Sequence, residues 1–209
     1  MRCAAVVVAA GSGTRFGGEK QFALVGSETV AERSVRLCRT VAEYVVCVVP
    51  DGYEGSGEGA DRTITGGPTR TESVRKGLEL LDEFEIVVIH DAARPMATPE
   101  LFQRVVSAVA AGAPAVIPGV KVTDTIKRVD TSTHKVLETL DRDSLVAVQT
   151  PQAFLREILI RAHESRLDAT DDAGLVEAIG EPVLVVDGET TNIKITHPSD
   201  LIAMNREEK

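Results

Sequence analysis

The sequence predicts an α/β fold, a mostly parallel sheet flanked by helices, and three observations carry that prediction. Short apolar runs alternate with segments of helical period along the 209 residues. Strand, helix and strand in succession imply right-handed crossovers and a mostly parallel sheet. The chain is 43% hydrophobic yet has no Trp and five Phe, so its core is built from Val, Ile, Leu and Ala, the mixture of strands covered on both faces. A glycine-rich loop directly follows the first apolar run, at the position where open α/β sheets bind ligands. This length suits a single domain over 1–209.

The elements follow in order. Residues 4–9 and 44–49 are short β-rich runs that end at Gly11 and at Pro50-Asp51, and both read as buried strands. Between them, 29–39 carries Val30, Val35, Leu37 and Cys38 in a loosely helical pattern. Residues 63–65 are strand-like and precede a helix over 70–81; further strands fall at 86–89, 115–117 and 182–186. Helices are expected at 99–111, 154–165, 171–179 and 198–205. The first of these has the clearest boundaries: Thr98 can cap it, Pro99 fits its first turn, and Gly112 can end it. Residues 51–61, rich in Gly and Glu, read as a solvated loop. Residues 120–148 alternate Thr, Val and charged residues around a turn at Asp130 to Thr133, the pattern of a protruding β-arm. Such an arm buries little against its own domain, so pairing with a second subunit is expected.

The net charge of −9 argues against a nucleic-acid surface, which needs a basic face to release counterions. Any phosphate ligand must be held by a few local cations. Cys3, Cys38 and Cys47 form an odd set without a C-x-x-C pair, which fits reduced cytoplasm. The first apolar run is too short for a secretory signal, and no run reaches the length of a membrane span.

The loop reads Ala9-Ala10-Gly11-Ser12-Gly13-Thr14-Arg15-Phe16-Gly17-Gly18-Glu19-Lys20. A dinucleotide fingerprint requires a small residue where Phe16 stands, and no Gly-Lys-Ser/Thr follows for a Walker loop. What distinguishes this loop is its cations, Arg15 and Lys20, of the kind that stabilise charge developing on a transferring phosphorus. The alternative is a glycine turn bearing two solvated cations. Asp91 ends the apolar strand at the ligand edge, suited to Mg²⁺ or a substrate hydroxyl, or else to capping the next turn. Arg94 is a substrate contact or a surface ion-pair partner. His90 is read as structural, because no second His or Cys stands at metal-ligand spacing. Gly67 and Ser73 border a helix start where backbone groups could face a base or simply cap the helix. Thr125, Thr150 and Thr170 are candidate hydroxyl donors or ordinary turn and strand threonines.

From Ala9 to Leu201 the chain resembles the 2-C-methyl-D-erythritol 4-phosphate cytidylyltransferases of the non-mevalonate isoprenoid pathway. The resemblance rests on A-A-G-S-G-T-R with Lys20-Gln21, Gly66-Gly67 with Ser73, H-D-A-A-R-P at 90–95, D-T-I-K-R at 124–128 and L-D-R at 140–142. It continues with T-P-Q at 150–152, T-D-D at 170–172 and N-I-K-I-T at 192–196. It implies a Rossmann-like fold of nucleotidyltransferase type and attack of methylerythritol 4-phosphate on the α-phosphorus of CTP with Mg²⁺ present, releasing pyrophosphate. It further implies that Arg15 and Lys20 stabilise the transition state while Arg142 and Lys194 position the acceptor phosphate. The nucleotide would lie on Ala9, Ala10, Gly11, Ser12, Gly13, Gly67, Ser73 and Ala92. The sugar-alcohol phosphate would lie on Asp91, Arg94, Thr125, Thr150, Thr170 and Thr196, with Asp91 also on the metal. In Asn192-Ile193-Lys194-Ile195, alternation sends Lys194 to the face opposite the isoleucines. By the same resemblance the arm pairs two subunits into a homodimer, and Arg142 and Thr150 complete the neighbour's site; a monomer with a self-packed hairpin is the alternative. A ribitol 5-phosphate cytidylyltransferase shares the fold and chemistry. A dinucleotide-dependent reductase, disfavoured by Phe16, and a non-catalytic nucleotide-binding module complete the alternatives.

Overall fold

A computed structural model describes residues 1–54, 59–165, 167 and 169–207. Its centre is an eight-stranded sheet. β1 (Cys3–Val8) lies between β4 (Tyr44–Val49) and β6 (Ile86–Asp91), parallel to both, and β5 (Arg62–Thr65) continues the sheet beyond β4. On the other side, β11 (Gln152–Leu155) runs antiparallel between β6 and β7 (Ala115–Lys121). β10 (Val146–Val148) pairs antiparallel with β7, and β12 (Leu184–Asp187) pairs parallel with it. The chain winds outward from β1 through β4 to β5 and then returns to β6 on the opposite flank of β1. The carboxyl ends of β1 and β6 therefore meet at a topological switch point.

Alternation along the strands explains the layering. In β1, Cys3, Ala5 and Val7 join one core with α1 (Val30–Cys38) and α3 (Pro99–Ala110). Ala4 and Val6 join the other, with α2 (Arg70–Leu78), α4 (Arg156–Glu164) and α5 (Asp172–Ala178). Small Ala and Val side chains on both faces let the helices approach closely. α1 and α2 open with capping boxes, Thr29 with Glu32 and Thr69 with Glu72, which satisfy otherwise orphaned helix N–H groups. Thr98 caps α3 with Pro99 in its first turn, as its sequence predicts. All three cysteines are buried in the first core, where burial pushes the Cys3 thiol up to about 12. No helix among the described residues is long and apolar enough to cross a membrane.

Several sequence boundaries move. The helix expected over 154–165 begins at Arg156, because Phe154 and Leu155 belong to β11. Phe154 is wholly buried between β6 and β7, and a short apolar run surrounded on all sides takes the strand it can pair in. β2 (Leu24–Val25) and β3 (Glu28–Thr29) form a small hairpin that the sequence reading did not include. Residues 55–58 of the expected surface loop lie outside the described residues; Asp51 to Glu54 are exposed. The arm is shorter than 120–148, since Val120, Lys121 and 146–148 lie in the central sheet. Its remainder carries β8 (Lys127–Val129) paired with β9 (Val136–Thr139), every residue of which is exposed. The turn stands as expected: the Asp130 carboxylate accepts from the N–H groups of Ser132 and Thr133. α6 (Pro198–Glu207) closes the described chain.

Candidate active site

At the carboxyl ends of β1 and β6 lies a cavity of about 370 Å³. Its walls are the glycine loop, the turn before α2, the end of β6 and Lys194.

The glycine loop is shaped by its own backbone. Gly13 has φ of 61°, and its carbonyl accepts from the N–H groups of Phe16, Gly17 and Gly18. A Cβ on Gly13 would sit 1.9 Å from the Gly18 oxygen, so only glycine fits there. Gly13 thus builds the turn and does not line the cavity. Ala9 lines it but spends its N–H on Val48. Among the described residues, the N–H groups of Ala10, Gly11 and Ser12 bond no other backbone group, and all three residues line the cavity. This is the arrangement that receives phosphate.

Lys20 opens a short 3-10 turn and donates from Nζ to the Ile195 carbonyl at 2.7 Å. Burial lowers its pKa, and the nearby charges of Lys194 and Arg15 lower it further. Across the cavity floor, Lys194 Nζ meets Asp91 Oδ2 at 2.5 Å, and Arg70 Nε meets Asp91 Oδ1 at 3.1 Å. Burial alone would raise the Asp91 pKa, but Arg70 and Lys194 hold it well below the usual carboxylate range. Arg70 also reaches the wholly buried Asp172 through Nη1 at 2.7 Å, and Asp172 faces His163 Nε2 at 3.0 Å. Lys20, Lys194 and Arg70 set against the carboxylates of Asp91 and Asp172 still leave an excess of positive charge, the electrostatic requirement for a polyphosphate.

Behind this floor, polar bonds tie distant segments together. The Thr150 hydroxyl accepts from Asp91 N–H at 3.0 Å and lies 3.2 Å from His90 Nδ1. It is buried, so it orients β6 and is not a free donor to substrate. His90 is structural, as its sequence context predicts: it is buried, tilted against Phe102, and burial lowers its pKa to about 4. Arg94 donates from Nη1 to Asn192 O at 2.7 Å and from Nη2 to Val148 O at 3.2 Å. It anchors the segment that carries Lys194 and does not line the cavity. Asn192 Nδ2 donates to Thr150 O at 2.9 Å, and Gln149 Nε2 to Glu189 O at 2.7 Å. Ile193 to Thr196 is not a strand; Ile195 is buried with Met204 while Ile193 is exposed. The expected alternation fails there because the segment is held by these side-chain bonds and not by a ladder.

Of the residues singled out in the sequence, the cavity thus gathers Ala9, Ala10, Gly11, Ser12, Lys20, Gly67, Ser73, Asp91, Ala92 and Lys194. Ser73 accepts from Gly67 N–H at 3.0 Å and donates to Thr69 O at 2.9 Å, so it braces the turn at Gly67 while Thr69 performs the capping. A Cβ on Gly67 would lie 2.5 Å from that of Glu72. Arg15 is exposed on the loop, outside the cavity wall. Arg142, Thr125 and Thr170 are also exposed, and Arg142 Nη1 donates to Thr123 O within the arm at 2.7 Å. Thr196 bonds locally, its N–H to Asp200 and its hydroxyl to Lys194 O.

Sequence reasoning missed Arg70, Gln21 and Thr69 in the cavity wall. A signal for Arg70 existed: a cation in the first turn of a helix opposes the macrodipole and needs a carboxylate partner to hold it there.

The donor set does not fit a protein-held Mg²⁺. Both oxygens of Asp91 are engaged by cations, and no group of three or more His, Cys, Asp or Glu gathers among the described residues.

The family model for IspD, 2-C-methyl-D-erythritol 4-phosphate cytidylyltransferase, matches residues 3–206. The chain belongs to this family. It is 43% identical over 211 residues to the 2-C-methyl-D-erythritol 4-phosphate cytidylyltransferase of Frankia casuarinae, covering 96% of this chain and 79% of that protein. It is 45% identical over 216 residues to a bifunctional enzyme IspD/IspF of an Anaeromyxobacter species, covering 96% of this chain and 55% of that one. The chain thus spans about half the length of the bifunctional relative. Among solved structures, that of 2-C-methyl-D-erythritol 4-phosphate cytidylyltransferase from Thermus thermophilus superposes with a TM-score of 0.84 at 35% identity, covering 99% of this chain and 98% of the other. The chain's sheet is thus the Rossmann-like one expected from the sequence, with β10 and β11 running antiparallel to their neighbours.

Proposed function

We propose that this chain transfers the cytidylyl group of CTP to 2-C-methyl-D-erythritol 4-phosphate, yielding 4-diphosphocytidyl-2-C-methyl-D-erythritol and pyrophosphate in isoprenoid precursor biosynthesis. Family membership supports the reaction. The observation that carries the site is the cavity in which free loop N–H groups face Lys20, Arg70 and Lys194.

The acceptor phosphate supplies its own nucleophile, since a phosphate monoester with a second pKa of about 6 is largely ionised at neutral pH. One of its oxygens bonds to the α-phosphorus of CTP as the bridge to the β-phosphate breaks, and pyrophosphate leaves with that bond's electrons. No strong general base is required. The chain's residues orient and neutralise: Ala10, Gly11 and Ser12 hold phosphate oxygens, Lys20 and the exposed Arg15 meet the charge on the triphosphate, and Lys194 faces the acceptor. Gly67, Ser73 and Ala92 flank the base. Mg²⁺, where present, would supply charge screening of the triphosphate, and Asp91 would hold it only by releasing Arg70 or Lys194. Arg142 and Thr125, both on the exposed arm, act on the acceptor only when that arm meets a second copy, so the active unit is a homodimer, while Thr170 lies before α5, outside the arm. Buried reduced thiols and the acidic surface suit the cytoplasm.

Pyrophosphate release measured with CTP, ATP, GTP and UTP, each with methylerythritol 4-phosphate or ribitol 5-phosphate, tests the reading. CTP with methylerythritol 4-phosphate should be fastest. Preference for ribitol 5-phosphate overturns the acceptor, and no release with any pair leaves a nucleotide-binding module.

A further inference from the structure

We propose that Tyr53 is a positioning residue that ties Glu19 away from Lys20 and so keeps the loop's cation available to a triphosphate. The inference rests on the nucleotide reading of the cavity.

Glu19 immediately precedes Lys20, so the glycine loop carries a carboxylate one residue from the cation that must meet phosphate. An unrestrained Glu19 could pair with Lys20 or repel the incoming polyanion. Here its Oε2 accepts from the Tyr53 hydroxyl at 2.6 Å. The Tyr53 ring in turn stacks on Phe22, with centroids 4.6 Å apart and planes at 24°. Glu19 and Phe22 bracket the 3-10 turn that begins at Lys20, so one tyrosine from the segment after β4 grips both sides of it. The bond to Glu19 also raises the Tyr53 pKa, which keeps the phenol protonated and donating.

The two halves of the grip separate by substitution. Tyr53→Phe keeps the stack and frees Glu19. Glu19→Gln keeps an acceptor for the phenol and removes the charge. We measure CTP affinity by calorimetry and steady-state kcat and KM for CTP, at low and raised salt, with thermal melts to establish folding. Tyr53→Phe should weaken CTP binding and lower kcat/KM about fivefold, the effect of one unit charge about 4 Å away in water. The deficit should shrink as salt screens it. Glu19→Gln should behave as wild type, and the Tyr53→Phe/Glu19→Gln double variant should regain wild-type values. A Tyr53→Phe variant equal to wild type, or one whose loss Glu19→Gln does not restore, overturns the proposal. Wild-type protein that binds CTP without turnover defeats the transferase reading while the binding comparison still decides the role of Tyr53. Wild-type protein that binds no CTP defeats both.

Discussion

The floor of the cavity and the arm are opposites in construction. Asp91, Arg70 and Asp172 are largely buried, and each charge has a partner within 3.1 Å. In β8 and β9 every residue is exposed, and the arm's Arg142 Nη1 donates to the Thr123 carbonyl of its own arm. A preorganised buried charge array is costly to assemble and specific once assembled. Among the described residues, the hairpin's side chains pair with one another, Lys127 with Thr139 and Arg128 with Glu138, and these pairs are exposed. The difference teaches that the cavity's charges are held in place within one chain, whereas Arg142 on the arm is exposed and, under the proposed function, finds its role through a second chain.

The largest expected effect lies on the cavity side. Lys194→Ala should lower kcat/KM about 100- to 1000-fold, about 3 to 4 kcal/mol, the usual cost of one preorganised charge at a transition state. Arg142→Ala should match that loss if a neighbouring arm reaches the cavity. A loss of less than threefold would break the comparison by leaving the arm a purely structural element. Steady-state assays of pyrophosphate release decide between these outcomes.

A second effect sharpens the contrast through acid. His90 is buried under the cavity floor with its pKa lowered from 6.5 to about 4. Above pH 6.5 the ring is neutral in both folded and unfolded chains and contributes no pH dependence. As pH falls from 6.5 to 4 the unfolded chain takes up a proton that the folded chain refuses, so stability falls through that window. The loss is about 3 kcal/mol at most. Asp91 and Asp172, with folded pKa values below their ordinary range, lose their stabilisation only below about pH 4. Denaturant unfolding of His90→Gln should be flatter between pH 6.5 and 4 than wild type. An unchanged slope would assign the acid sensitivity elsewhere.

The same contrast explains what was legible in the sequence. Glycine spacing and a strand ending at Asp91 leave strong local signatures, and so does the turn at Asp130. The loop, the presence of β6 and the turn of the arm could therefore be read, while the bounds of β6 and of the arm moved. Arg15, Lys20, Arg142 and Lys194 were noticed as cations, but only the fold separates Lys20 and Lys194, in the cavity wall, from the other two. What stayed hidden depends on pairing between distant segments. Phe154 and Leu155 resemble a helix start until β6 and β7 are seen on either side. Arg70 pairs with residues 21 and 102 positions away, which no local pattern encodes. The bonds of Asn192 and Gln149 that hold Lys194 in place are likewise invisible to periodicity, which is why alternation misjudged that segment.

The most direct test of a chain-contained cavity completed by a neighbour's arm is subunit mixing. Arg142→Ala and Lys194→Ala proteins are each assayed alone, then unfolded together, refolded and assayed as a mixture. If the arm acts across the dimer, each mixed dimer rebuilds one intact site, and random pairing should restore about a quarter of wild-type activity. If the mixture stays at the average of the two single variants, Arg142 does not act across the subunits and the account of the arm is contradicted.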